Sequence, residues 1–188
     1  MNTKGLSLEI KDEAKGLVKA VFATFNVIDS DGDVTLPGAF EDGAPVRISA
    51  YGHASWSGAL PVGKGIIRTT DTEAILEGQF FLNTQHGRDT FTVVKELGPL
   101  QEWSYGFDIE EESYGEFEGR QVRFLKKVKT HEVSPVLLGA GVNTRTLAAK
   151  SAGSRPDARR GRKAAIPPHE TEVVARSWDG AAGVAALP

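Results

Sequence analysis

A histidine in a glycine-rich loop, a serine in an aromatic strand and an acid on a later strand are the parts an acyl-transfer site needs. This chain carries them as Tyr51-Gly52-His53, Trp103-Ser104-Tyr105-Gly106-Phe107 and His131-Glu132-Val133-Ser134. Side chains alternate along a strand, so Trp103, Tyr105 and Phe107 share one face while Ser104, Gly106 and Asp108 share the other. The aromatic face can anchor the strand in a core. The opposite face sets a small hydroxyl beside a glycine, which leaves room for a substrate or another backbone to approach. Read structurally, Ser104 is simply a small residue at a crowded spot.

The spacing of these pieces suggests how they meet. With Glu118-Gly119 as the tip of a tight turn, antiparallel pairing sets Ser104 opposite roughly residue 132 or 133, which makes Glu132 its cross-strand neighbour. His53 sits in a Gly- and Ser-rich loop. A loop imidazole suits a general base better than one packed on an apolar stripe, although a loop histidine is also often just solvated. His131 is its rival, because it adjoins Glu132, yet strand alternation sends the two to opposite faces. His86, near a helix start, and His169, in the tail, read as surface residues. In the assembled site His53 takes the Ser104 proton as the hydroxyl attacks a peptide carbonyl. Glu132 orients His53, and backbone N–H groups hold the oxyanion. The Gly139-Ala140-Gly141 turn, just after the Glu132 strand, is the candidate donor.

Two other motifs carry less. Asp29-Ser30-Asp31-Gly32-Asp33 opens like a calcium loop, but Val34 stands where the glycine belongs and Phe40 where the bidentate Glu belongs, so it reads as a structural turn. Gly63-Lys64-Gly65 lacks the second half of a phosphate loop. No metal site and no cofactor site emerges.

The elements that must position the site read as mainly β with a helix. Leu6, Leu8 and Ile10 alternate as in a half-buried strand, and Leu17 to Phe25 is apolar on both faces, as in a central strand or barrel wall. Asp29 to Gly38 is a turn-rich loop. Val62 to Arg68 and Ile75 to Leu82 are strands around a Thr70-Asp71-Thr72 turn. Phe91, Val94 and Leu97 recur at helical spacing over Thr84 to Leu97, with Asn83 or Thr84 as cap and Gly98-Pro99 as stop. Gln101 to Glu112 and Arg120 to Thr130 are strands joined by a hairpin connection over Tyr114 to Gly119. Val133 to Leu138 is a further apolar strand, broken by Gly139-Ala140-Gly141.

Composition bounds the possibilities. The 188 residues allow one ordinary domain with an appendage. The absence of cysteine excludes a thiol nucleophile, disulfides and thiolate zinc sites, and fits a reducing compartment. No apolar run approaches the roughly 18 residues a membrane helix needs, and the first residues lead straight into alternation rather than a signal peptide. The net charge of −3 is uneven. Residues 150–188 hold seven basic and four acidic residues, which leaves the body acidic and unlike a nucleic-acid-binding surface. The reading is residues 1–149 as the folded domain and 150–188 as a basic linker and largely disordered tail, without membrane or nucleic-acid contact.

The ordered series Asp31-Gly32-Asp33-Val34, Pro37-Gly38-Ala39-Phe40, His53, Leu60-Pro61-Val62-Gly63, Trp103-Ser104-Tyr105-Gly106-Phe107 and Glu132-Val133-Ser134 resembles the prohead (head maturation) proteases of tailed bacteriophages over roughly residues 5–149. The resemblance implies a serine endopeptidase related in fold to the herpesvirus assemblins: an antiparallel β-barrel core flanked by helices, an α+β fold. Those enzymes use a Ser-His-His triad in the chain order His, Ser, His. Carried over, His53 matches the first histidine and Ser104 the nucleophile. Aligned on the following valine, Glu132 takes the place of the second histidine, with His131, one residue off, as the alternative. The assemblin oxyanion loop carries arginines, whereas Gly139-Ala140-Gly141-Val142 lies at that distance here.

The role so implied is cleavage of the scaffold or the major capsid protein, and often of the protease itself, inside the assembling prohead in the host bacterial cytoplasm. A homodimer or higher oligomer is expected by analogy. The tail is then a tether to scaffold or capsid, or a self-cleavage region. The competing expectation is a catalytically silent assembly protein that keeps the protease fold and binds scaffold.

Overall fold

The computed structural model describes residues 15–151. The Leu6–Ile10 strand, His169 and the basic tail lie outside them. Strand β1 (Gly16–Thr24) leaves Leu17 and Lys19 exposed but buries Val18 and the consecutive Ala20, Val21, Phe22 and Ala23, so both of its faces are covered over its second half. It lies between two antiparallel neighbours, β5 (Glu73–Phe80) and β8 (Arg145–Lys150). The Asp29–Gly38 stretch contains a three-residue strand, β2 (Asp33–Thr35), too short to show alternation in sequence. It is followed by β3 (Pro45–Ile48) and β4 (Gly63–Thr69).

The helix α1 spans Gln85–Leu97, with Thr84 Oγ1 accepting the Gly87 N–H at 3.1 Å. Its Phe91 and Val94 are buried, and the Phe91 ring lies 5.5 Å from that of Phe80. The only other helical pieces among the described residues are 3₁₀ turns at Tyr51–Ser57 and Gly98–Leu100.

Two long strands, β6 (Glu102–Phe117) and β7 (Arg120–Val136), form one hairpin. The hairpin connection expected over Tyr114–Gly119 shrinks to Glu118-Gly119, both with left-handed φ of 50° and 75°, the backbone a tight two-residue turn demands. Arg120–Thr130 and the expected Val133 strand are one continuous strand.

The sheet runs β2-β7-β3-β4-β5-β1-β8, with β6 on the other side of β7. It is mixed rather than purely antiparallel, because β2 and β3 both pair with β7 in parallel. The fold is mainly β and of the α+β class.

Side chains join the far ends of the path. The Trp103 backbone N–H donates to Thr144 Oγ1 at 3.1 Å, and its indole N–H to Thr146 Oγ1 at 3.0 Å, tying β6 to β8. Within β8, Ala148 and Ala149 have little β preference of their own. Pairing with β1 and the two threonine bonds supply what local propensity lacks. Trp103 is fully buried, so Trp103→Ala should cost about 3–5 kcal/mol of stability. A denaturant midpoint reads this directly, and a loss under about 1 kcal/mol would show that the closure contributes little.

The aspartate loop is a turn held from inside. Asp29 Oδ1 accepts the N–H groups of Asp31 (3.0 Å) and Asp33 (2.9 Å), and burial raises the Asp29 carboxyl above the usual aspartate range. Asp33 forms a two-pronged ion pair with Arg123 at 2.9 and 2.6 Å. This pair locks the loop onto β7.

Candidate active site

The β6–β7 register decides which side chains meet. Ser104 pairs with Ser134 and Gly106 with Glu132. Ser104 therefore does not face residue 132 or 133. Register irregularities along the hairpin shift the pairing away from the simple count back from the turn. Directly opposed residues project to one face, and so do residues two apart, so Ser104, Gly106, Glu132 and Ser134 share a face. On the other face Trp103 is buried, and the Tyr105 ring lies 5.6 Å from that of Phe22 and 5.1 Å from that of Phe40. The Tyr105 hydroxyl bonds Thr35 Oγ1 at 3.2 Å, and burial pushes its ionisation up to about 12. It is a packing residue, unsuited to act as a base beside Ser104.

His53 is brought over that face by a backbone turn. Gly52 and His53 are both left-handed, with φ of 69° and 59°. Glycine adopts this freely, but for histidine it costs on the order of 1 kcal/mol. The turn is pinned by Ser134, whose Oγ accepts the His53 N–H at 2.9 Å and lies 3.2 Å from the Ala50 carbonyl. Ser134 is fully buried. It was visible in sequence only as the residue two after Glu132, hence on the same face. Its neighbour Val133 accepts the Ser49 N–H at 3.0 Å, which holds the start of the His53 loop against β7.

With the loop so fixed, His53 Nδ1 lies 2.7 Å from Glu132 Oε1. Glu132 is only 5% exposed, and the same oxygen accepts the Trp56 indole N–H at 3.1 Å. A buried carboxylate is an acceptor, so it selects the tautomer with the proton on Nδ1 and leaves the Nε2 lone pair free. That is the state a general base for a hydroxyl needs. Ser104 Oγ is not hydrogen-bonded to His53 in this structure.

His131 is placed differently. Its Nε2 lies 2.8 Å from Asp108 Oδ2, and its ring packs edge-on against Trp56 with centroids 5.7 Å apart. Alternation should have sent His131 and Glu132 to opposite faces. Gly106 pairs with Glu132 but Phe107 with Thr130, so His131 is the extra residue of a β-bulge. The bulge lets both side chains reach Trp56. Glu132 alone of the two bonds His53.

In the Gly139-Ala140-Gly141 turn, the Gly139 N–H donates to Glu102 Oε2 at 2.7 Å, and the Ala140 carbonyl accepts the Ser30 N–H at 3.0 Å. A side chain at Gly139 would come within 2.8 Å of the Trp103 carbonyl, so the turn lies against the peptide that leads into Ser104. The Gly139 N–H, one of the expected oxyanion donors, is thus covered by a carboxylate. His86 is exposed on α1. Among the described residues no group of three or more His, Asp or Glu side chains is arranged to hold a metal ion, and no helix is long and apolar enough to cross a membrane.

A family model described as caudovirus prohead serine protease matches residues 4–156. Among curated proteins, the prohead protease of Enterobacteria phage HK97 is 29% identical over 109 residues, covering 55% of this chain and 47% of that protein. The chain thus spans about half the length of this relative. No solved structure matches it. The match contains the loop, the hairpin and the His53–Glu132 pair together, and on its extent the chain belongs to the caudovirus prohead serine protease family.

Proposed function

We propose that this chain is a serine endopeptidase in which Ser104 is the nucleophile, His53 the general base and Glu132 the acid that orients it. The observation that carries the reading is the 2.7 Å contact between His53 Nδ1 and the buried Glu132 carboxylate, on the face that also carries Ser104. His53 Nε2 takes the Ser104 proton as Oγ attacks a peptide carbonyl. Glu132 stabilises the imidazolium so formed, and His53 then returns the proton to the leaving amine. Water attacks the resulting acyl-enzyme by the same proton route. An oxyanion donor is required, and the Gly139 N–H serves once Glu102 withdraws.

Family membership points to the scaffold and the major capsid protein as substrates, cut within the assembling prohead in the host cytoplasm. Residues 150–188 are then either a tether or a segment removed by self-cleavage. The covered Gly139 N–H favours one other reading, a catalytically silent assembly protein that binds scaffold. A fluorophosphonate separates the two. Covalent labelling of purified chain, mapped by mass spectrometry to Ser104, is the outcome expected of the enzyme. No labelling under conditions where the family's proteolysis proceeds would leave the silent reading standing.

A further inference from the structure

Trp56 is 60% exposed, yet the one polar atom of its ring is aimed at a carboxylate that is almost fully buried. Glu132 Oε1 accepts two N–H donors, His53 Nδ1 at 2.7 Å and Trp56 Nε1 at 3.1 Å, while Oε2 is buried with no partner. All the hydrogen bonding that holds this carboxylate therefore falls on one oxygen. Gly106 makes the meeting possible. A Cβ there would come 2.5 Å from Glu132 Oε1, 2.8 Å from Trp56 Nε1 and 2.9 Å from Trp56 Cζ2, so the carboxylate and the indole meet over a bare Cα. The indole also packs against His131, edge-on at 5.7 Å and tethered to Asp108 at 2.8 Å.

We propose that Trp56, seated on Gly106 and backed by His131, is a positioning residue that fixes the Glu132 carboxylate for His53. The proposal rests on the triad reading above and adds residues to it. It also gives His131 a part other than third catalytic member: His131 acts on the indole, and only through it on Glu132. The physical ground is that a carboxylate held by a single donor can rotate about its terminal torsion, which is broad and soft. A second donor at a fixed angle removes that freedom, and with it the misdirected orientations of His53. Because the one hydrogen bond of the Trp56 indole goes to the acid, its loss should slow the chemical step and leave ligand binding intact.

The test uses the full-length chain and a fluorophosphonate, whose labelling rate reports Ser104 activation without a known substrate. Trp56→Phe keeps the ring and removes the donor, and should lower the maximal labelling rate about tenfold with the half-saturating concentration unchanged. Gly106→Ala attacks the same contact from the other side and should act alike. Combined with Glu132→Gln, Trp56→Phe should add little, since both act through one carboxylate. Full additivity of the two, or a change confined to half-saturation, overturns the proposal while Ser104 labelling itself still stands. Failure of Ser104 to label in wild-type protein overturns the triad reading instead. The proton on His53 Nδ1 gives a second readout: its downfield NMR signal should persist in wild type and broaden or vanish in Trp56→Phe. An unchanged signal speaks against the clamp.

Discussion

Ser104→Ala should reduce proteolysis by on the order of 10⁴-fold or more, to the level supported by binding and oxyanion contacts alone. The substitution removes one oxygen from a half-buried strand position whose side chain bonds no neighbour, so stability should change by less than about 1 kcal/mol. That contrast makes the experiment clean: a fully folded protein without activity. Two measurements read it. One is cleavage of capsid or scaffold protein in co-expression. The other is the intact mass of the chain over time, where any trimming of residues 150–188 in wild type should be absent in the variant. Trimming that continues at the wild-type rate in Ser104→Ala would remove Ser104 from the mechanism.

Glu132→Gln should cost roughly 10²- to 10⁴-fold in kcat, less than loss of the nucleophile. The amide is nearly isosteric and keeps one carbonyl oxygen. Trp56 and His53 both present donors to the same point, so they select the orientation that places that oxygen on Oε1. What is lost is the charge that stabilises protonated His53, and the NH₂ group falls at the buried Oε2 position, where no acceptor waits. His131→Ala, in contrast, removes a ring that touches Trp56 and Asp108 but no atom of His53. Its loss should be a small fraction of that of Glu132→Gln. If His131→Ala is the more damaging of the two, the third position belongs to His131.

Much of the scaffold was legible because its signals are local. The two-faced apolar run of β1, the alternation of Val62–Arg68 and Ile75–Leu82, and the helical spacing of Phe91, Val94 and Leu97 each report their own environment. The strands that escaped, β2, β3 and β8, are three to six residues long and hold together only through partners distant in sequence. At the site, the aromatic face of Trp103 and Tyr105 followed from period two. The register did not, because each bulge moves the pairing in a way no turn count reveals.

The chain's own order of residues was enough to put forward Ser104 and His53, and Glu132 with His131 as its alternative, since residue type and spacing suggest the chemistry. Four matters lay beyond it. Folding alone chose Glu132 over His131 as the residue that meets His53, through one extra residue at the β7 bulge that cancels the alternation rule. Folding alone made Ser134 the pin for the left-handed His53 turn, and placed Trp56 on the carboxylate across a side-chain-free Gly106. It also covered the Gly139 N–H with Glu102. The reason is common to all of them. Each contact joins residues more than thirty positions apart, and its geometry turns on bulges and backbone dihedrals that arise when strands pair and twist, not on the identity of the residues at either end.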